Sequence, residues 1–180
     1  MDDLTRLAEL IKARNRLEVE ITSLIGRPAQ IGHIGEYIAS KIFDIQLQES
    51  ATHKGSDGNF KSGALTGRSV NIKWYAKLEY ILDINPAGLP DEYLVLSGPT
   101  TNFTSSRGQT RPWLIETVFL FEAHELLKRL SVRNIKIGVA TSVSKQFWGE
   151  SEIYPRPGNK RYVLTDDQHR LLALFRQSKL

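Results

Sequence analysis

Lys54-Gly55-Ser56-Asp57-Gly58 and Ser69-Val70-Asn71-Ile72-Lys73-Trp74 are the two segments around which the rest of the chain is organised. The first places an acidic residue in a glycine-flanked turn, and the second has the composition of a strand. Successive side chains of a strand point to opposite faces, so the three apolar residues of the second segment predict a core face. Asn71 and Lys73 share the other face. We expect an antiparallel meander that brings Asp57 beside them.

This grouping of side chains suits chemistry on a phosphodiester. Oxygen ligands are those that Mg²⁺ prefers, and a lysine beside them holds a phosphate or a water. Taken singly, Asp57 is typical of a turn residue and Lys73 of an exposed strand lysine. Asn71 keeps a coordinating oxygen but adds no negative charge, so two carboxylates would hold Mg²⁺ more weakly than three.

A helix predicted over residues 31–43 offers a second carboxylate. Glu36 is flanked on the helix surface by Gly32, Gly35 and Ala39, and small neighbours let a helix approach a sheet closely. Taken alone, Glu36 is typical of a solvated surface glutamate. We hypothesise that Glu36 supplies the charge that Asn71 lacks.

Together these motifs resemble the PD-(D/E)xK nuclease superfamily, named for an acid, a spacer and a strand carrying acid-x-lysine. The resemblance covers roughly residues 28–97 and includes a helix that carries a G-x-x-G-E motif, Gly32 to Glu36. It extends to a bacterial family of uncharacterised, restriction-endonuclease-like domains. Asn71 stands where the pattern has Asp or Glu, and some branches that carry glutamine there are active.

The resemblance implies an α/β fold of the restriction-endonuclease-like type, in which helices flank a mixed central β-sheet. It implies a Mg²⁺- or Mn²⁺-dependent DNA endonuclease, with a role in restriction or genome maintenance. Asp57, Glu36 and Asn71 would bind the metal. Lys73 would position the attacking water or neutralise charge on the scissile phosphate.

All 180 residues are expected to form a single domain, with an N-terminal helix (1–27), a core (31–140) and a C-terminal extension and helix (141–180). Apolar residues over 3–25 follow one helical stripe, which Arg14 interrupts. We interpret this helix as one that covers the core. The alternative is a dimerisation helix, which would make the protein a homodimer.

Other elements follow from hydrophobic periodicity and turn residues. We predict strands over 45–49, 91–96 and 135–140, a helix over 114–130, a short helix over 142–148 and an irregular segment over 151–161. A last helix is predicted to begin at the capping box of Thr165 and Gln168.

The formal net charge is +4, from 24 basic and 20 acidic residues. This mild bias permits nucleic-acid binding without requiring it. Candidate contacts to DNA lie in two polar segments and in the turn before Asp57: Lys54, Arg107, Arg111, Arg156, Lys160 and Arg161. Solvated surface loops are the alternative interpretation of both segments.

Several chemistries lack any motif. The chain has no cysteine, which excludes a disulfide scaffold and a thiol nucleophile. It has no phosphate-binding loop, dinucleotide fingerprint or nucleophile elbow. The acidic N-terminus and the absence of a long apolar run predict a cytoplasmic protein without a membrane partner. Two alternatives to the nuclease stay open: a catalytically silent nucleic-acid-binding module, and a regulatory subunit that acts through its first helix.

Overall fold

The computed structural model describes residues 2–48, 55–100 and 111–177. Two helices come first, six strands follow, and helices and strands then alternate; a single-turn 3-10 helix spans Gly63–Leu65. The helices are α1 (Asp3–Ile25), α2 (Ile31–Ile42), α3 (Ala123–Val132), α4 (Lys145–Ser151) and α5 (Asp166–Ala173). The strands are β1 (Ile45–Leu47), β2 (Gly58–Phe60), β3 (Ser69–Tyr75), β4 (Ile81–Leu82), β5 (Glu92–Ser97), β6 (Thr117–Glu122), β7 (Thr141–Ser142) and β8 (Glu152–Tyr154).

A six-stranded sheet forms the centre, in the order β1-β2-β3-β5-β6-β8. Strands β3 and β5 are parallel, and the other four neighbouring pairs are antiparallel. The short strands β4 and β7 pair separately. The prediction of a mixed α/β fold with helices around a central sheet and a long N-terminal helix is therefore confirmed, and the sheet is mostly antiparallel.

Both faces of the sheet are buried under helices. Val70, Ile72 and Trp74 of β3 belong to one apolar cluster, together with Ile38 of α2 and Leu172 of α5. The opposite face contributes to a second cluster with α3 and α4, whose members include Tyr93, Val95, Phe119, Leu126 and Trp148. The predicted alternation of β3 is thus confirmed, because its apolar residues all face α2.

The predicted helix over 114–130 is wrong in its first half. Residues Thr117–Glu122 form β6, and the helix begins only at Ala123. Four consecutive residues of β6 are buried because the strand is covered on both faces. Such a continuous apolar run lacks the alternation that identifies a half-exposed strand, so periodicity alone cannot distinguish it from a buried helix.

Two neighbouring predictions also need correction. The strand predicted over 135–140 is absent: this segment is irregular, and Val139 is 90% exposed. The strand there is Thr141–Ser142, which pairs with β4. The segment 151–161, predicted to be irregular, begins with β8, which pairs with β6 at the edge of the central sheet.

Helix α1 exists as predicted, but the interpretation that it covers the core is wrong. None of its 23 residues is buried. Most of the apolar stripe that suggested a core-facing helix is exposed to solvent, and only Ile21 and Ile25 near its end are half-buried. Over the described ranges, no helix is long and apolar enough to cross a membrane.

Candidate nuclease site

Asp57 is fixed at the edge of β3 by three hydrogen bonds. Its backbone N–H donates to the carbonyl of Val70 at 2.8 Å, and its carbonyl accepts the N–H of Gln48 at 2.9 Å. Its carboxylate Oδ2 accepts the backbone N–H of Ile72 at 2.6 Å. The side chain thereby takes the place of a backbone partner of β3 immediately before β2 begins. It lies beside the backbone that joins Asn71 to Lys73, so the predicted juxtaposition is present.

Two glycines allow the close approach of the elements that carry the acidic residues. A Cβ on Gly58 would lie 2.4 Å from the carbonyl oxygen of Gln46, so β2 is held tightly against β1 immediately after Asp57. A Cβ on Gly35 would lie 3.1 Å from the Cβ of Trp74. Helix α2 therefore rests directly on β3, and Glu36 follows at the rim of that contact.

Glu36 is turned toward the body of the protein rather than toward bulk solvent. Its side chain is 18% exposed and forms an ion pair with Arg27, which lies between α1 and α2. The Glu36 carboxylate is near enough to Asp57 to act on its charge. The hypothesis that Glu36 reaches the Asp57 site is consistent with this geometry.

The charges around Asp57 oppose one another. Burial raises the pKa of its carboxyl above the ordinary aspartate value, and the neighbouring Glu36 carboxylate raises this pKa further. The hydrogen bond from Ile72 and the cations Lys73 and Arg27 act in the opposite direction. The pKa remains raised, chiefly because the carboxyl is buried, so the folded protein disfavours the bare Asp57 carboxylate.

Asn71 contributes an oxygen without a partner. The residue is 9% exposed, and its Oδ1 is buried with no hydrogen-bond donor in the described part of the chain. Buried polar atoms without a partner are uncommon, and each calls for a ligand, a water or an ion. Lys73, two residues further along the strand, is half-buried.

This donor set fits a hard divalent cation of the Mg²⁺ or Mn²⁺ type. Two carboxylates and one amide oxygen are oxygen ligands, and the unpartnered Asn71 Oδ1 is available for coordination. Within residues 2–48, 55–100 and 111–177, no three His, Cys, Asp or Glu side chains are grouped as a metal site. A three-ligand site would therefore need Asn71 in addition to Asp57 and Glu36, although Asn71 alternates with the residues of β3 that face α2, the helix that carries Glu36.

A cleft of about 330 Å³ begins where β3 ends. We call it the β3 cleft and define it by Trp74, Tyr75, Lys77, Arg111 and Trp113. The Trp113 ring is 47% exposed and lies 6.3 Å from that of Trp74. Tyr75 is two residues beyond Lys73, so the cleft adjoins the Asp57 site along the strand.

The predicted DNA-contacting residues lie in different places. Arg111 lines the β3 cleft, whereas Lys54 and Arg107 lie outside the described residues. Lys160 and Arg161 line a separate groove that three glutamates also border: Glu122, Glu125 and Glu150. Mixed charge of this kind gives no clear attraction for phosphate. Of the described candidates, Arg111 alone lines the β3 cleft.

Arg156 and Arg161 are both paired with buried acids. Arg156 binds Glu152 through two guanidinium nitrogens at 3.0 and 3.1 Å, although its own side chain is 81% exposed. Arg161 donates to Glu92 at 2.5 Å, and Arg68 donates to the same carboxylate at 2.8 Å. Because Glu92 is completely buried, these two arginines neutralise a charge inside the protein.

Sequence reasoning missed Arg27 and Glu92. Arg27 lies in the connection between two helices, and no local pattern relates it to Glu36 nine residues later. In the sequence, Glu92 stands at the start of an apolar strand. An acidic residue buried in such a strand is rarely without a basic partner. That position signals a buried ion pair, but its partners, Arg68 and Arg161, are 24 and 69 residues away.

A scan against protein-family models and a search of curated proteins each find no match to this chain. Function is therefore inferred from the side chains and their arrangement.

Proposed function

We propose that this protein is a metal-dependent DNA endonuclease built on a restriction-endonuclease-like fold. The observation that carries the proposal is the half-buried carboxylate of Asp57, held against β3 between Asn71 and Lys73 and within electrostatic reach of Glu36. Acid, oxygen ligand and lysine at one strand edge are the groups that phosphodiester hydrolysis requires. The resemblance to PD-(D/E)xK nucleases is in accord with it.

Asp57, Glu36 and Asn71 would hold the Mg²⁺ or Mn²⁺ ion. When bound, such an ion polarises a phosphate oxygen and lowers the pKa of an attacking water. Asp57 and Glu36 supply negative charge, and Asn71 supplies a neutral oxygen that the protein leaves without a donor. The raised pKa of Asp57, which burial causes first and the Glu36 carboxylate adds to, is in accord with this assignment because a bound cation would compensate the buried negative charge.

Lys73 acts on the phosphate rather than on the metal. Its ammonium lies on the same strand as Asn71 and is near enough to lower the pKa of Asp57. There it neutralises charge that develops on the scissile phosphate, or orients the water that attacks it. Its half-buried position reduces competition from solvent, which strengthens an electrostatic contact.

Arg27 has a separate role in the protein without metal. Its guanidinium neutralises Glu36 and lowers the pKa of Asp57. A cation bound between the carboxylates would replace part of this function, so Arg27 and the metal compete for Glu36. Removal of the arginine charge should therefore tighten metal binding.

The β3 cleft would receive DNA next to the reacting phosphate. Arg111 and Lys77 offer positive charge, although Lys77 is also paired with Glu79 at 3.0 Å. The exposed ring of Trp113 offers a surface on which a base stacks. Cationic grooves with aromatic side chains bind unpaired bases irrespective of sequence, which favours a frayed or single-stranded region near the cut.

A second candidate function is a catalytically silent nucleic-acid-binding or regulatory subunit on the same fold. The specific observation in its favour is the ion pair between Arg27 and Glu36, which leaves Asp57 as the one carboxylate of the site without a salt bridge in the described residues. Asn71 adds no charge. In this alternative the site binds DNA through the β3 cleft and holds no metal.

One experiment separates the two functions. Labelled duplex and frayed oligonucleotides are incubated with the protein in Mg²⁺, in Mn²⁺ and in chelator, and gel-shift lanes in chelator score binding separately. Cleavage in metal that Lys73→Ala abolishes without loss of binding supports the nuclease. Binding without cleavage in either metal supports the silent module. Cleavage by Lys73→Ala at the wild-type rate would refute the assigned mechanism.

A further inference from the structure

Helix α1 is well formed at both ends yet carries no buried residue. The Asp2 carboxylate accepts the N–H of Thr5 at 2.8 Å, and Gly26 closes the helix in the left-handed conformation, with its N–H bonded to Thr22. Isolated helices in water are marginal even with good caps, because most helical stability in proteins comes from packing of an apolar face. The described part of the chain buries no residue of α1.

The apolar residues of α1 repeat with the spacing of a coiled coil. Positions alternate by three and four residues along what we call the α1 seam: Leu7, Leu10, Arg14, Leu17, Ile21 and Leu24. The four leucines are exposed by 51%, 51%, 58% and 73% in chain order. A seam with this period is typical of helices that pack side by side over several turns.

Charge determines which helix the α1 seam accepts. Three basic residues lie over 12–16, and two acidic residues lie over 18–20. In a parallel pair of identical helices, Arg14 would face Arg14 of the second copy in the middle of the seam, and like charges there are unfavourable. In an antiparallel pair, the basic stretch of each helix lies along the acidic stretch of the other.

The antiparallel register also matches the apolar residues. Pairing Arg14 with Leu17 of the second copy places Leu7 opposite Leu24 and Leu10 opposite Ile21. The arginine then lies next to Glu18 of the second copy, twice by two-fold symmetry. The Arg14 side chain is 80% exposed, and its guanidinium lies 3.8 Å from the carboxylate of Glu18 in its own helix. In the antiparallel pair the same guanidinium would lie between this Glu18 and Glu18 of the second copy.

We propose that two copies of this chain associate through an antiparallel α1–α1 pair. Such an interface is isologous, as two-fold dimers require, because residue i of one helix meets residue j of the other and the reverse. The proposal does not depend on the nuclease activity. The partner of α1 is then the same helix of a second copy in the opposite direction, as both the apolar seam and the order of charges along the helix indicate.

The test begins with the mass of the full-length protein in solution. Sedimentation equilibrium should report a dimer for the wild type. Leu17→Arg should raise the dissociation constant by at least roughly 100-fold, since each dimer loses two leucines from the seam. Val19→Arg is the matched control: this residue is 69% exposed on the same turn but lies outside the seam, and its variant should remain a dimer.

Two further variants keep the proposal falsifiable. Arg14→Leu makes the α1 seam continuously apolar, so it should tighten the dimer. Because α1 buries none of its residues against the described part of the chain, this substitution should leave the rest of the protein folded. Because the chain has no cysteine, Leu7→Cys and Leu24→Cys can be oxidised alone or mixed. The mixture should give a disulfide between unlike chains, with little product from either variant alone.

A monomeric wild type would overturn the proposal, as would a dimer that Leu17→Arg leaves intact. Disulfides that form preferentially between like variants would replace the antiparallel pair by a parallel one and thus contradict the argument from charge.

Discussion

Asp57 has both a structural and a chemical role, and two substitutions separate them. Its carboxylate accepts the Ile72 N–H at 2.6 Å, and Ile72 is only 6% exposed. Asp57→Ala leaves that N–H without its acceptor, at a cost of roughly 1–3 kcal/mol. Asp57→Asn keeps an oxygen at the same place and removes the charge. Its free energy of unfolding should therefore be close to that of the wild type or higher.

The pH dependence gives the sign of the charge effect. The folded state raises the pKa of Asp57, so below that pKa the folded protein holds a proton that the unfolded chain has released. The stability of the wild type therefore decreases as pH rises from the ordinary aspartate value through the raised one. Asp57→Asn has no such loss, and its stability relative to wild type should increase across that window and then level off.

The assay is urea unfolding in chelator at several pH values, followed by thermal unfolding with and without Mg²⁺. For a chain of this size, Asp57→Ala should melt roughly 2–12 °C lower than wild type, at about 2–4 °C per kcal/mol. Mg²⁺ at ten times its dissociation constant should stabilise the wild type by about 1.4 kcal/mol and Asp57→Asn much less.

Two results would refute this reasoning. If Asp57→Asn is as destabilised as Asp57→Ala, the carboxylate charge itself holds the fold, and the raised pKa is not the dominant feature of the site. If the stability of Asp57→Asn relative to wild type falls with rising pH, the sign of the shift is reversed.

Three further predictions concern other parts of the molecule. Arg161→Ala should destabilise the protein by about 2–4 kcal/mol in urea unfolding because it leaves the buried Glu92 with one arginine. Arg170→Ala, whose partner Asp167 is itself exposed, should change stability by less than about 1 kcal/mol, and equal effects would contradict the network. Lys73→Ala should reduce the cleavage rate by at least about 100-fold with unchanged melting, and retained activity counts against its role. Trp113→Ala should weaken binding of single-stranded DNA in gel shifts by about 5- to 100-fold, and undiminished binding would exclude the β3 cleft.

Arg27 provides one more test of the metal site. Arg27→Gln frees Glu36 from its ion pair, so Mg²⁺ titrated by calorimetry should bind more tightly than to wild type. Weaker binding would mean that the arginine positions Glu36 for the metal instead of competing with it.

Local rules predicted the parts of the fold that local sequence determines. The alternation of β3 identified its apolar face correctly because one face of that strand is covered by α2. The capping box of Thr165 and Gln168 begins α5 as predicted, since both of its hydrogen bonds lie within four residues. Glycine at position 35 indicated a close helix–sheet contact, and a Cβ there would lie 3.1 Å from the Cβ of Trp74.

Predictions failed where long-range burial overrides periodicity. Strand β6 resembled a helix because both of its faces are covered, which removes the alternating pattern. Helix α1 looked core-facing because an apolar stripe has the same pattern whether it packs on its own chain or on another. Neither the ion pair of Arg27 with Glu36 nor that of Arg161 with Glu92 has a local signature, since each depends on how distant segments meet.

The most direct measurement of the central claim is the nicking of supercoiled plasmid in Mg²⁺ by three proteins prepared in parallel: wild type, Asp57→Asn and Asp167→Asn. Asp167 is an exposed aspartate on α5, far along the chain from the site. Asp167→Asn is therefore a matched control that also removes one carboxylate. Metal-dependent nicking by wild type and Asp167→Asn, abolished in Asp57→Asn and in chelator, is the predicted result. Nicking by Asp57→Asn at the wild-type rate, or by none of the three, would contradict the proposed nuclease.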